Sequence, residues 1–227
     1  DLKFADANGE QEKQISAIRS FIQQGVDVIA FSPVVRTGWD AVLLEAKNSK
    51  IPVILTDRAI DTQEKDVYKT FIGADFVEEG KRAGTWAADQ YAGAPGQVDI
   101  VQLEGTTGAD PAIDRDTGFK QGISSNPNLR IVASQTGDFT RSGGKQVMEA
   151  LLKSTPKIDV VFAQNDDMGL GAMEAIEAAG KVPGEDIKIV ADDATHDGMQ
   201  GLAGGRLNSI VDCNPLVEPK LTERGKP

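Results

Sequence analysis

The sequence predicts an α/β fold in which two doubly wound, parallel-sheet lobes share 227 residues. Three observations predict it. Short apolar runs alternate with amphipathic helical stretches along the whole chain, which implies right-handed crossovers and parallel strands. The apolar runs are continuous rather than alternating, as in strands covered on both faces. They are also too many for one comfortable sheet at this length.

In order, Leu2–Ala5 reads as a strand. Glu10–Gln24 reads as an amphipathic helix, with Ile15, Ile18, Phe21 and Ile22 at helical spacing and Gly25 as its stop. Val26–Phe31 is a strand broken by Ser32-Pro33, Trp39–Asn48 a helix, and Pro52–Leu55 and Lys69–Gly73 strands. Val77–Tyr91 is a helix and Val98–Leu103 a strand. The glycine-rich break Glu104–Gly108 reads as a crossing between lobes. The expected division is therefore 1–103 with 213–227 for the first lobe and 104–212 for the second. The second series holds helices Pro111–Ser124, Ser142–Lys153, Met168–Ala179 and Asp197–Ala203. Its strands are Leu129–Ala133, Ile158–Ala163, Ile187–Val190 and Leu207–Val211.

Composition narrows the function classes. Lys+Arg number 24 against 35 Asp+Glu, a net charge of −11. That balance opposes a nucleic-acid surface or an anionic membrane as main partner. The single cysteine, Cys213, excludes an internal disulfide, which suits the cytosol and the bacterial periplasm equally. The single histidine, His196, and the lack of Cys/His spacing argue against a metal site. There is no Gly-x-Ser-x-Gly elbow, and Gly143-Gly144-Lys145 is followed by Gln146, so no phosphate loop is completed. Gly201–Gly205 follows a helix rather than a strand, so no dinucleotide fingerprint is supported. The acid pairs Asp166-Asp167 and Asp192-Asp193 could perform acid–base work. Without a nucleophile, metal or cofactor signature, binding is the simpler account.

Polar residues at the carboxyl ends of buried strands are the binding candidates. After Val160–Ala163 come Gln164, Asn165 and Asp166. Asn165 supplies donor and acceptor and Asp166 acceptors, which suits a molecule covered in hydroxyls. Asp57-Arg58 follows Pro52–Leu55 and is either a ligand pair or a surface ion pair of little energetic weight. Ser32 and Arg36 follow the preceding strand, and Arg36 also reads as a solvated loop charge. Arg115 points into a cleft or, as its position favours, pairs locally with Asp114 or Asp116. Phe139 is a core satellite or an aromatic that stacks on a ligand face. Asp193 is a turn or capping acid or a ligand contact. Asp212 and Asn214 close the series.

Together, Ala163–Ala172, Asp57-Arg58, Arg115–Phe119 and Gly137–Arg141 resemble the type I periplasmic binding proteins for monosaccharides, the receptors that feed ABC sugar importers. Ser32–Trp39, Leu103–Ala109, Gly137–Arg141 and Cys213–Leu216 are similar to the galactofuranose-binding branch in particular. The resemblance implies a sugar gripped between two lobes. Ser32, Arg36, Asp57 and Arg58 would contribute from the first lobe. Arg115, Phe139, Asn165 and Asp193 would contribute from the second, with Asp212 at a hinge strand. It also implies hinge closure, an ABC permease as partner, a monomer, no cofactor, and a periplasmic or extracellular location compatible with a lipid anchor. Family members carry a strand and helix ahead of the segment at Leu2 and further elements after Pro215. The resemblance therefore implies a first lobe incomplete at both chain ends, with unpaired strand edges. The effector core of a LacI-type transcription regulator shares the fold and is the alternative; a sugar-active enzyme ranks below it.

Overall fold

A computed structural model describes residues 1–213. It divides into two compact units. Among these residues, Asp1–Ala74 with Gly108–Asp110 forms the first, and Asp75–Thr107 with Pro111–Cys213 forms the second.

The first unit runs α1 (Gln11–Gln23), β1 (Ile29–Phe31), α2 (Asp40–Asn48), β2 (Val53–Thr56) and β3 (Thr70–Ile72). Its parallel sheet has the order β1-β2-β3, with Phe31 opposite Leu55 and Leu55 opposite Phe71. Ile18 of α1 and Val42, Leu43 and Ala46 of α2 close over Ile29, Val53 and Leu55. Trp39 lies fully buried in this cluster, its indole Nε1 donating to the Val35 carbonyl at 2.6 Å. Burial alternates along β2, with Val53 and Leu55 buried and Ile54 and Thr56 half-buried. Leu2–Ala5 is not a strand: a strand exists only with a ladder partner, none of the described residues pairs with it, and Leu2 and Phe4 are exposed.

The second unit runs α3 (Phe76–Gln90), β4 (Val98–Glu104), α4 (Asp110–Ile123), β5 (Leu129–Thr136), α5 (Arg141–Ser154), β6 (Val160–Ala163), α6 (Asp166–Ala178), β7 (Lys188–Asp193), α7 (His196–Ala203) and β8 (Ser209–Asp212). Its five parallel strands take the order β5-β4-β6-β7-β8. Alternate strand residues build two cores. Ile100, Val160, Phe162, Val190 and Val211 meet Ala83 and Ala87 of α3 and Phe119 of α4. Val101, Leu103, Val161, Ala163, Ile189 and Ala191 meet Met148 and Leu151 of α5 and Met168 and Ile176 of α6. Both faces are covered, which is why these runs are apolar without alternation. Phe119 and Phe162 stack with centroids 4.0 Å apart.

The boundary expected at 103–104 is corrected. β4 pairs with both β5 and β6, and α3 buries its alanines in the same core, so Asp75–Leu103 folds with the second unit. Cys213 also groups with the second unit; the remainder of the segment 213–227 assigned to the first lobe, Asn214 included, lies outside the described residues.

Candidate ligand-binding site

In the second unit the chain leaves β4 toward β5 on one side and returns to β6 on the other. The carboxyl ends of β4 and β6 are thus a topological switch point, where open α/β sheets take ligands. Gln164 and Asn165 stand there. Gln164 is fully buried; its Oε1 accepts from Gly105 N at 2.8 Å and its Nε2 donates to the Ala112 carbonyl at 2.9 Å. Asn165 caps α6, its Oδ1 accepting from Met168 N at 3.0 Å, while its Nδ2 donates to the Phe139 carbonyl at 3.1 Å. One amide N–H and one acceptor lone pair remain for a ligand.

Asp138 and Phe139 both adopt the left-handed region, with φ of 57° each. This turn lays the half-buried Phe139 ring across Gly105. A Cβ at Gly105 would lie 1.9 Å from the ring, so only glycine lets the aromatic rest there. Phe139 also packs against the edge of the core, so the satellite reading is correct as far as it goes.

Arg115 does not make the local pair its position favours. Asp116 instead accepts from Gln102 at 2.9 Å and Lys120 at 2.7 Å. Arg115 is 3% exposed and reaches three other elements. Its Nε donates to Glu79 Oε2 at 2.9 Å, its Nη1 to the Gln164 carbonyl, and its Nη2 to Asp193 Oδ1 at 2.8 Å. The Phe76 ring lies 5.1 Å from the guanidinium carbon, within cation–π range. Burial works to lower its pKa, but Asp192, Asp193 and Glu79 outweigh burial and raise it, so the guanidinium stays charged. Burial raises Glu79, with the Arg115 charge opposing. Burial also pushes the Cys213 thiol up to about 12, which leaves it inert. Asp193 takes φ of 115° at the tip of β7, a strained backbone of the kind that clusters at ligand sites. Asp212 faces Asp193 in register from the exposed end of β8.

Asp166 departs from expectation. It is fully buried, and its Oδ2 accepts from the Thr195 backbone N at 2.6 Å and Oγ1 at 2.8 Å. Burial pushes its carboxyl up to about 6. Through Oδ2 it serves the turn before α7.

In the first unit, Ser32 Oγ donates to Asp57 Oδ2 at 3.3 Å, and Arg58 Nε lies 3.3 Å from the same oxygen. Arg58 Nη1 donates to the Val34 carbonyl at 3.3 Å. Asp57 has φ of 63° at the tip of β2, and its N–H donates to the Ile72 carbonyl. Three sequence-predicted residues are therefore brought together. Arg36 is not a solvated charge. It pairs with the buried Asp110, whose second oxygen accepts from Ala59 N at 2.8 Å.

Sequence reasoning missed Glu79, Gln164 as a scaffold, Gly105, and Asp192 as part of the Arg115 cluster. The signal for Glu79 was present: it falls in the stripe Phe76, Glu79, Ala83, Ala87 that α3 buries, where an acid requires a partner.

Residues 1–221 match the periplasmic binding protein domain family. Galactofuranose-binding protein YtfQ of Escherichia coli K12 is 46% identical over 217 residues, 94% of this chain and 68% of that protein. A crystal structure from Mycobacterium smegmatis in complex with β-D-fucofuranose is 83% identical, with a TM-score of 0.96 over 98% of this chain and 73% of that one. The periplasmic component of the arabinose ABC transporter from Shewanella sp. ANA-3, bound to α- and β-L-arabinofuranose, is 46% identical, with a TM-score of 0.93 over 100% of this chain and 76% of that one. These relatives weigh against the transcription-regulator alternative. With a parallel, switch-point sheet, strand-tip polar groups and matches across nearly its whole length, the chain belongs to the periplasmic binding protein domain family.

Proposed function

We propose that this chain binds a monosaccharide in its furanose form outside the cytoplasm and delivers it to an ABC permease, without catalysing a reaction. The observation that carries the reading is the Arg115 fork, held charged at the strand tips beside Asp193, Asn165 and Phe139. A five-membered sugar ring presents adjacent hydroxyls to such donors and acceptors and a C–H face to an aromatic. The relatives named above carry galactofuranose, fucofuranose or arabinofuranose, which supports the ring form.

On this reading Arg115, Asn165 and Asp193 bond the hydroxyls and Phe139 packs on the ring. Asp57, Arg58 and Ser32 supply the first unit's contacts, and Asp212 a peripheral one. Arg36 acts through Asp110 instead of on the sugar. Sugar binding favours one state of a monomeric receptor, the form that a permease reads.

Each well-made charge-assisted bond contributes roughly 1.5–3 kcal/mol. Arg115→Lys keeps the charge but loses the planar fork, so affinity for L-arabinose, D-galactose or D-fucose measured by calorimetry should fall by about ten- to a hundredfold. Circular dichroism should show an intact fold. Unchanged affinity would remove Arg115 from the site. Carbon-13 NMR of an anomerically labelled sugar on the protein should report the furanose; a bound pyranose would refute the ring form.

A further inference from the structure

Asp192 sits one residue before the tip of β7, fully buried, and neither of its carboxylate oxygens has a hydrogen-bond partner. The nearest cation is Arg115, whose Nε lies 3.8 Å from Oδ2. The groups that face it are Arg115 from α4, Glu79 from α3, Asp166 from α6 and Asp193 beside it on β7; the Cys213 thiol after β8 faces Glu79 and Arg115. One guanidinium thus stands among four acids. Glu79 and Asp193 accept from Arg115, and Asp166 accepts from Thr195. Asp192 alone of these accepts nothing. An ionised carboxylate buried without a donor is strongly unfavourable, and such a group takes up a proton instead.

We propose that Asp192 is a neutral carboxylic acid at neutral pH and that in this form it is a positioning residue for Arg115. Uncharged, it leaves the guanidinium with Glu79, the Gln164 carbonyl and Asp193 at the strand tips. Ionised at alkaline pH, it draws the guanidinium inward from 3.8 Å and weakens ligand binding. The inference rests on the reading of Arg115 as a sugar contact. Burial, which pushes the Asp192 carboxyl up to about 8, places the transition just above neutrality.

The test uses the whole chain and two readouts. L-arabinose affinity of the unsubstituted protein, measured by calorimetry from pH 6.5 to 9, should fall by about fivefold at pH 9, as one pKa unit of coupling to a group with a midpoint near 8 requires. Asp192→Asn, permanently neutral, should flatten that profile. Independently of sugar, infrared difference spectra should show a protonated-carboxyl band at pH 7 that Asp192→Asn removes. A flat profile in the unsubstituted protein, a sloping one in Asp192→Asn, or a band that survives the substitution would overturn the proposal. Absence of sugar binding at every pH, with the band present and lost in Asp192→Asn, would instead overturn the reading of Arg115 as a sugar contact and leave the neutral acid standing.

Discussion

Asn165 shows how much one side chain does at the switch point. Its amide caps α6 through Met168 N and tethers the carbonyl of Phe139. Asn165→Ala should therefore lower stability by about 1 kcal/mol through loss of the cap and also release the aromatic. Asn165→Ser retains a capping oxygen but not the tether. Chemical denaturation should find the serine variant close to the unsubstituted protein, and calorimetry should find both variants weakened toward sugar. Equal destabilisation by serine and alanine would show that the tether, not the cap, carries the stability.

At the scale of elements, the α3–α4 pair positions both partners of the central ion pair. Glu79 stands on α3 and Arg115 on α4. The two helices approach until backbone meets backbone. A Cβ at Gly118 would lie 1.9 Å from the Val77 carbonyl oxygen, and one at Gly80 would lie 2.1 Å from that of Arg115. Gly118→Ala should push the helices apart and destabilise by about 1–3 kcal/mol, as overpacking does. Gly93→Ala has nothing within 4 Å and should be close to neutral. Urea midpoints of the two variants test this, and a harmless Gly118→Ala would mean the helix pair yields without loss.

For the whole molecule, the acid-rich interior sets the pH dependence. Asp166 and Asp192 hold protons up to about 6 and about 8, against about 3.9 for an unfolded aspartate. Between those values the folded state binds more protons than the unfolded one. Their contribution to stability is therefore full at the acid end and is lost as pH rises, for Asp166 through about 6 and for Asp192 through about 8. Asp197 runs the other way: its hydrogen bond from Arg141 lowers it, but it is solvent-exposed and its effect is screened. Unfolding free energy measured from pH 5.5 to 8.5 should decline. A rise across that window would show that these two acids do not dominate. The net charge of −11 adds self-repulsion, so the thermal midpoint should climb with salt as the Debye length shortens below about 10 Å.

Much of this was legible in the chain itself. Among the described residues, all seven helices and every expected strand except Leu2–Ala5 follow from local periodicity and from Gly and Pro punctuation, because helix and strand periods are properties of neighbouring residues. The strand-tip positions of Asp57, Asn165 and Asp193 follow for the same reason. What tertiary structure alone decided is pairing at a distance. Arg115 chose Glu79, 36 residues away, and Asp193, 78 residues away, over its neighbours Asp114 and Asp116. β4 joined the second sheet because its partners β5 and β6 lie there. Asp166 turned to Thr195, and Arg36 to Asp110. A local pattern states which groups are polar and where strands end. Only the folded sheet brings distant charges within ion-pair range and out of water, and desolvation then determines which partner each one takes.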